Sequence, residues 1–189
     1  MRRTFLFGFS KDEAFGVVSI LLVIFFATFI NLQISLRRSR DSQRKSDIRD
    51  IYNALAKYQN DFGTFPLSKD GEIVACGGKT KDELGLPIFE SCRWGWDSLV
   101  DTQDLNYPEY LTRIPADPYY LKGFNYYYIS NGSKFQMYAS LEGRDEAEFD
   151  SKIEKRNLSC GSKICNFGLA SGKTPLNISI EEYENQIKK

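Results

Sequence analysis

Residues 14–30 read AFGVVSILLVIFFATFI, an apolar run interrupted only by Gly16, Ser19 and Thr28. Residues 31–36 are also uncharged and extend the stretch to 23 positions. As a helix this covers about 35 Å, enough to cross a hydrocarbon core of about 30 Å with some tilt. No other segment is apolar enough to surround such a helix inside a soluble core, and no A-x-A step ends the run as in a cleaved secretory signal. A retained membrane-spanning helix is predicted. Beyond it, Ile48, Ile51, Leu55, Tyr58 and Phe62 recur at spacings of three and four, which is one apolar stripe on a helical face. No helix breaker separates Leu36 from Phe62, Gly63 offers a C-terminal cap and Pro66 prevents resumption. One unbroken helix from about residue 10 to 61 is therefore predicted, its outer half needing a domain to cover the stripe. Asp41, four residues before Lys45, is placed for an intrahelical ion pair.

The pattern changes after Pro66. Phe124–Ser130 and Ser133–Leu141 are β-prone runs separated by Asn131-Gly132, which predicts a tight hairpin over 124–141. Phe135, Met137, Ala139 and Leu141 alternate with Gln136, Tyr138 and Ser140, so the first set should face the helix stripe. Residues 67–107, with five glycines and little periodicity, read as a long loop region with a short strand at 72–75. Ser179 and Glu182 form a capping box for a short terminal helix at about 180–187. The fold class expected is α+β: one long N-terminal helix, a transmembrane half and an amphipathic half, packed on a small antiparallel sheet head with long loops. Its boundaries fall at 9–36 for the span, 37–63 for the amphipathic continuation and 64–189 for the head.

Charge sharpens this layout. The 189 residues carry 25 basic and 25 acidic side chains, so no global field draws the chain to nucleic acid. Residues 37–50 nevertheless hold six basic and three acidic groups, a collar that follows the uncharged span. That collar is either a solvated helix face or a contact with lipid headgroups or a packing neighbour. There is no histidine, which removes Ser-His-Asp and Cys-His catalysis and histidine-based metal centres. No enzymatic role is expected.

Several segments together resemble bacterial type IV pilins, and most closely the pseudopilins of type II secretion systems. They are Gly8-Phe9-Ser10 with Glu13 before the apolar span, residues 39–49, and Tyr58-Gln59-Asn60-Asp61-Phe62-Gly63-Thr64-Phe65-Pro66. Residues 110–118 and 125–128 are similar more thinly. The resemblance implies a leader, residues 1–8, cut by prepilin peptidase after Gly8, methylation of the new terminus at Phe9, and an assembly role for Glu13 against a neighbour's terminal amine. It also implies a pilin-like fold and a structural subunit of a pilus or pseudopilus filament. The partners would be copies of itself, other pilins or pseudopilins, an assembly platform and the bilayer. The chain departs from the family in carrying Lys11 and Asp12 where apolar residues are usual; residues 9–13 are then expected at the cytoplasmic interface. The alternative is an uncleaved, single-pass anchor for an extracytoplasmic binding domain.

The basic collar alone would place the C-terminal part in the cytoplasm. Long domains translocate largely regardless of charge, and the resemblance and the cysteines point outward, so an extracytoplasmic head with a cytoplasmic N-terminus is expected. Cys76, Cys92, Cys160 and Cys165 all follow the span without a C-x-x-C pair. Three connectivities are open. Cys76–Cys92 and Cys160–Cys165 are favoured because each closes a local, glycine-containing segment; four free thiols or a thiolate metal site are the other readings. Glu142, Asp145, Glu146, Glu148 and Asp150 cluster after the hairpin. Pseudopilins hold calcium in a loop of this general position, which makes Glu142, Asp145, Glu146 and Asp150 calcium candidates, yet the spacing matches no compact calcium loop and a solvated acidic turn is the favoured reading. Trp94, Trp96, Tyr119 and Tyr120 are read as packing residues or as an aromatic binding surface.

Overall fold

A computed structural model of the chain describes residues 11–104 and 106–188. It has the α+β, pilin-like layout expected: helix α1 (Lys11–Phe62) followed by small antiparallel sheets. No break interrupts α1 between Leu36 and Ile48. The chain divides into two compact units, one up to Arg40 and one from Asp41 onward, so the outer part of α1 belongs with the sheets.

In the first unit every residue from 15 to 36 is exposed. In the second, Ile48, Ile51, Ala54, Leu55 and Tyr58 are buried against Ile73, Leu99, Ile114, Tyr126, Tyr128, Phe135, Met137 and Leu141. Each such aliphatic side chain contributes about 1.5–3 kcal/mol on leaving water, which is what holds this stretch of helix in place. Phe62 is only half-buried and stacks on Tyr58 at 4.2 Å. The helix ends as predicted, with Gly63 N–H donating to the Gln59 carbonyl at 2.7 Å.

One sheet has the order β4 (Tyr127–Ser130), β5 (Phe135–Ala139), β8 (Phe167–Ala170), all antiparallel. The β4–β5 connection is not the tight two-residue turn expected from Asn131-Gly132. Ser130 pairs with Phe135, leaving four loop residues, and only Gly132 of the dipeptide has positive φ. The Asn131 carboxamide oxygen instead accepts from Ser133 N–H and Lys134 N–H, an Asx-type turn that competes with the primed geometry. Nor is β5 half-exposed: all five residues are buried. Its second face is covered by Ile153 of α2 (Ser151–Glu154), by the short hairpin β6 (Ser159–Cys160) and β7 (Lys163–Ile164), and by residues 171–178. Gln136 Nε2 donates to the Pro175 and Ile178 carbonyls there, and Arg156 bonds the Tyr138 hydroxyl.

Residues 67–107 are more ordered than a loop region. They form a second sheet of β1 (Ser68–Lys69), β2 (Glu72–Lys81) and β3 (Pro87–Ser91). Register shifts around Cys76 and Gly77 interrupt β2, and positive φ at Gly77 and Gly78 accommodates them. Those bulges erase the alternation by which a strand is recognised. The disulfides join Cys76 to Cys92 and Cys160 to Cys165. The first closes a separation of 16 residues, a constraint on the unfolded chain of about 3 kcal/mol. Helix α3 (Ile180–Ile187) starts where the capping box placed it, with the Ser179 hydroxyl accepting from Glu182 N–H.

Candidate functional site

Two features carry functional weight: the exposed apolar part of α1 and a buried ionic seam inside the second unit. The seam begins one turn before the apolar stripe. Asp41 and Arg44, separated by three, continue the spacing of Ile48 and Ile51, so the same helical face that buries aliphatics buries two charges, each fully. Arg44 Nε and Nη2 donate to the two oxygens of Asp117 at 2.7 and 3.1 Å. Arg44 Nη1 donates to Asp41 at 2.8 Å and to Glu142 at 2.7 Å. The guanidinium is flanked by the rings of Phe124 and Tyr119, 5.4 and 5.9 Å away. Burial pulls its proton affinity down, but the bonds to Asp117, Glu142 and Asp41 more than reverse this and hold it above the ordinary arginine value.

The Asp41 carboxylate also accepts from Glu142 N–H and Gly143 N–H, both at 2.9 Å. The intrahelical Asp41–Lys45 pair expected from the sequence does not form. Asp41 faces the buried seam, whereas Lys45 reaches Glu146 at 2.9 Å and Glu148 at 3.0 Å. One turn further on, Tyr126 donates to Asp47 at 2.6 Å. Burial raises the Asp47 carboxyl, and the neighbouring charges of Asp50 and Asp117 add to that, while the tyrosine bond works against it. The seam therefore fixes the part of α1 from residue 41 onward, in rotation and in height, against the 110s loop and the turn that follows β5. Its buried ion pairs and hydrogen bonds act as a clamp.

Glu142 and Glu146 are bonded to Arg44 and Lys45, and Asp150 caps α2 by accepting from Lys152 N–H. The acidic residues proposed for calcium are thus drawn to different partners, with Asp145 exposed beside them. Among the described residues no group of three acidic or cysteine side chains is placed to hold a metal ion. Trp94 packs edge-on against Tyr126 in the core, whereas Trp96 is exposed, with Arg113 over its ring. Of the assembly residues, Glu13 lies in the first turn of α1; Gly8 and Phe9 fall outside the described residues. The sequence reading missed Arg44, Asp117 and Tyr126. The usable signal was present: a charged pair lying on an apolar stripe requires buried partners of opposite sign.

The other feature is the helical surface of residues 15–36. Phe15, Val23, Phe25, Phe26 and Ile30 are each more than half exposed, and no described side chain of that stretch is buried. A contiguous exposed apolar surface of this kind marks contact with lipid or with other protein. One helix of the described chain is long and apolar enough to cross a membrane. No family model, curated protein or solved structure matches this chain.

Proposed function

We propose that the chain is a structural subunit of a type IV pilus-like or type II secretion pseudopilus filament, held in the membrane by α1 before assembly. The observation that carries this reading is the division of one continuous helix. Residues 15–36 are uncharged and bare all round, while the stretch from Asp41 is clamped to a small disulfide-bonded domain. A bare helical surface serves lipid in the free subunit and identical helices in a polymer, the open head-to-tail contact that a helical assembly needs. The resemblance of residues 8–13, 39–49 and 58–66 to pilins supports the filament over a plain anchor. In the second reading the chain is an uncleaved tether for a binding domain, which the charges of Lys11 and Asp12 beside Glu13 favour.

The amino terminus separates them. Mass spectrometry of protein isolated from membranes is expected to find a mature chain beginning at N-methylated Phe9; an intact Met1 would decide for the tether. The side of the membrane is a separate expectation. Two disulfides suit an oxidising compartment, so alkaline phosphatase fused at the C-terminus should be active, and an inactive fusion beside an active cytoplasmic reporter would reverse the topology.

A further inference from the structure

Leu121 is 97% exposed, more than any other large apolar residue of the described chain, and it stands on a built tip rather than on a loose loop. The 3-10 turn Tyr120–Lys122 and the β6–β7 hairpin are bonded to each other. Ser162 N–H donates to the Gly123 carbonyl at 2.6 Å and Asn125 N–H to the Cys160 carbonyl at 3.1 Å. Phe124 and Gly161 form a β-bridge. A Cβ at Gly161 would stand 2.0 Å from the Gly123 oxygen, and its φ is +75°, so only glycine permits this approach. Cys160–Cys165 closes the hairpin from beneath. The tip presents Tyr120, Leu121 and Ile164 together with the ammonium groups of Lys122 and Lys163, all exposed. Lys122 lies over the Tyr119 ring, 3.8 Å from its centre.

The position of this tip gives it a partner. Tyr119 and Phe124, at its base, are the rings that flank Arg44, so it stands beside the first turn of α1 that belongs to the folded unit. Asp41 follows Leu36, the last residue of the apolar run, by five residues, and covalent geometry alone keeps those residues within about 18 Å of each other. Acids in the neighbouring cleft, Glu142 and Glu154, are bonded to Arg44 and Arg144, so the tip's own charge is positive. An exposed leucine and tyrosine accompanied by two lysines, on a braced tip beside a helical turn only a few residues along the chain from an apolar span, match an interface of acyl chains below anionic headgroups.

We propose that the tip formed by residues 119–124 and 161–164 docks on the surface of an anionic bilayer and so fixes how the folded unit rests on the membrane. The proposal rests on the anchored reading of α1 and goes beyond it in assigning a second, peripheral lipid contact.

All four native cysteines are in disulfides, so Leu121→Cys offers a single thiol for a polarity-sensitive fluorophore. The full chain is reconstituted in phosphatidylethanolamine–phosphatidylglycerol vesicles. Phe25→Cys serves as a label inside the span. Leu67→Cys serves as a label at the far end of the folded unit, beyond the roughly 30 Å of α1 that follows residue 41. The label at 121 is expected to emit to the blue of that at 67, to be quenched by nitroxide lipids, and to keep both properties when the protein is diluted in lipid. The combined change Lys122→Glu and Lys163→Glu should reduce the quenching. Emission at 121 as aqueous as at 67, with 25 immersed, overturns the docking and leaves the anchor standing. A signal that vanishes on dilution assigns the tip to a neighbouring copy and overturns it equally. A full signal after charge reversal removes the anionic requirement. An aqueous label at 25 removes the anchor and the proposal together.

Discussion

Arg44→Ala is expected to destabilise the folded unit by about 3–5 kcal/mol, because it strands buried carboxylates without their counter-charge. Asp41 and Asp117 have side chains at 0% and 1% exposure in their pairs with Arg44. Asp41 retains two backbone N–H donors from residues 142 and 143, but Asp117 keeps only Tyr119 N–H. A loss of that size is a large share of a reserve of about 5–15 kcal/mol. Arg44→Lys should fall between the two, since an ammonium keeps the charge but cannot bond both oxygens of Asp117 while reaching Asp41 and Glu142. Arg144→Ala, removing an ion pair whose arginine is 77% exposed, should change stability by less than about 1 kcal/mol. Guanidinium unfolding of the full chain in detergent micelles, followed by near-ultraviolet circular dichroism, measures all three. Equal effects for Arg44→Ala and Arg144→Ala would remove the seam from any account of this fold.

Alkaline pH should unfold the same unit through its buried phenols. Tyr126, Tyr128 and Tyr138 are at most 2% exposed, and burial lifts the hydroxyl of each well above its ordinary value. For Tyr126 the adjacent Asp47 charge adds to burial, whereas for Tyr138 the Arg156 guanidinium opposes it. The folded chain therefore keeps protons that the unfolded chain releases. This stability is complete below the unfolded tyrosine value near pH 10 and is lost as pH rises from there towards the folded values. Each phenol costs about 1.4 kcal/mol per pH unit in that window, so three together cost about 4 kcal/mol per unit. Lys45, raised by its bond to Glu146, acts in the same direction. Phenolate absorbance for these three residues should appear in step with the loss of near-ultraviolet ellipticity. Phenolate formation in a chain that keeps its native ellipticity would contradict the buried hydroxyls. Tyr128→Phe, which gives up one bond to the Pro66 carbonyl, should flatten the pH dependence.

How far each feature was legible follows from its range along the chain. The stripe Ile48, Ile51, Leu55 and Tyr58 is local: four residues within three turns must share a face in any α-helix, and all four are buried. The cap at Gly63 and the Ser179–Glu182 start of α3 are equally local. Asp117 meets Arg44 across 73 residues and Glu142 across 98. Asp41 read naturally as a partner of Lys45 because spacing specifies who is near on the helix, not which face the domain will cover.

Periodicity along the chain was thus sufficient to determine the long helix, its bare and seated parts, and the helix-facing set of β5, since burial of apolar groups acts wherever the period repeats. Only tertiary contact decided that β5 is covered on both faces, that residues 72–91 pair into a bulged hairpin, and that Arg44 is a buried clamp rather than part of a solvated collar. Those outcomes depend on the desolvation and pairing of groups far apart in sequence. Charge and hydrogen-bond geometry select them after collapse, and no local repeat encodes them.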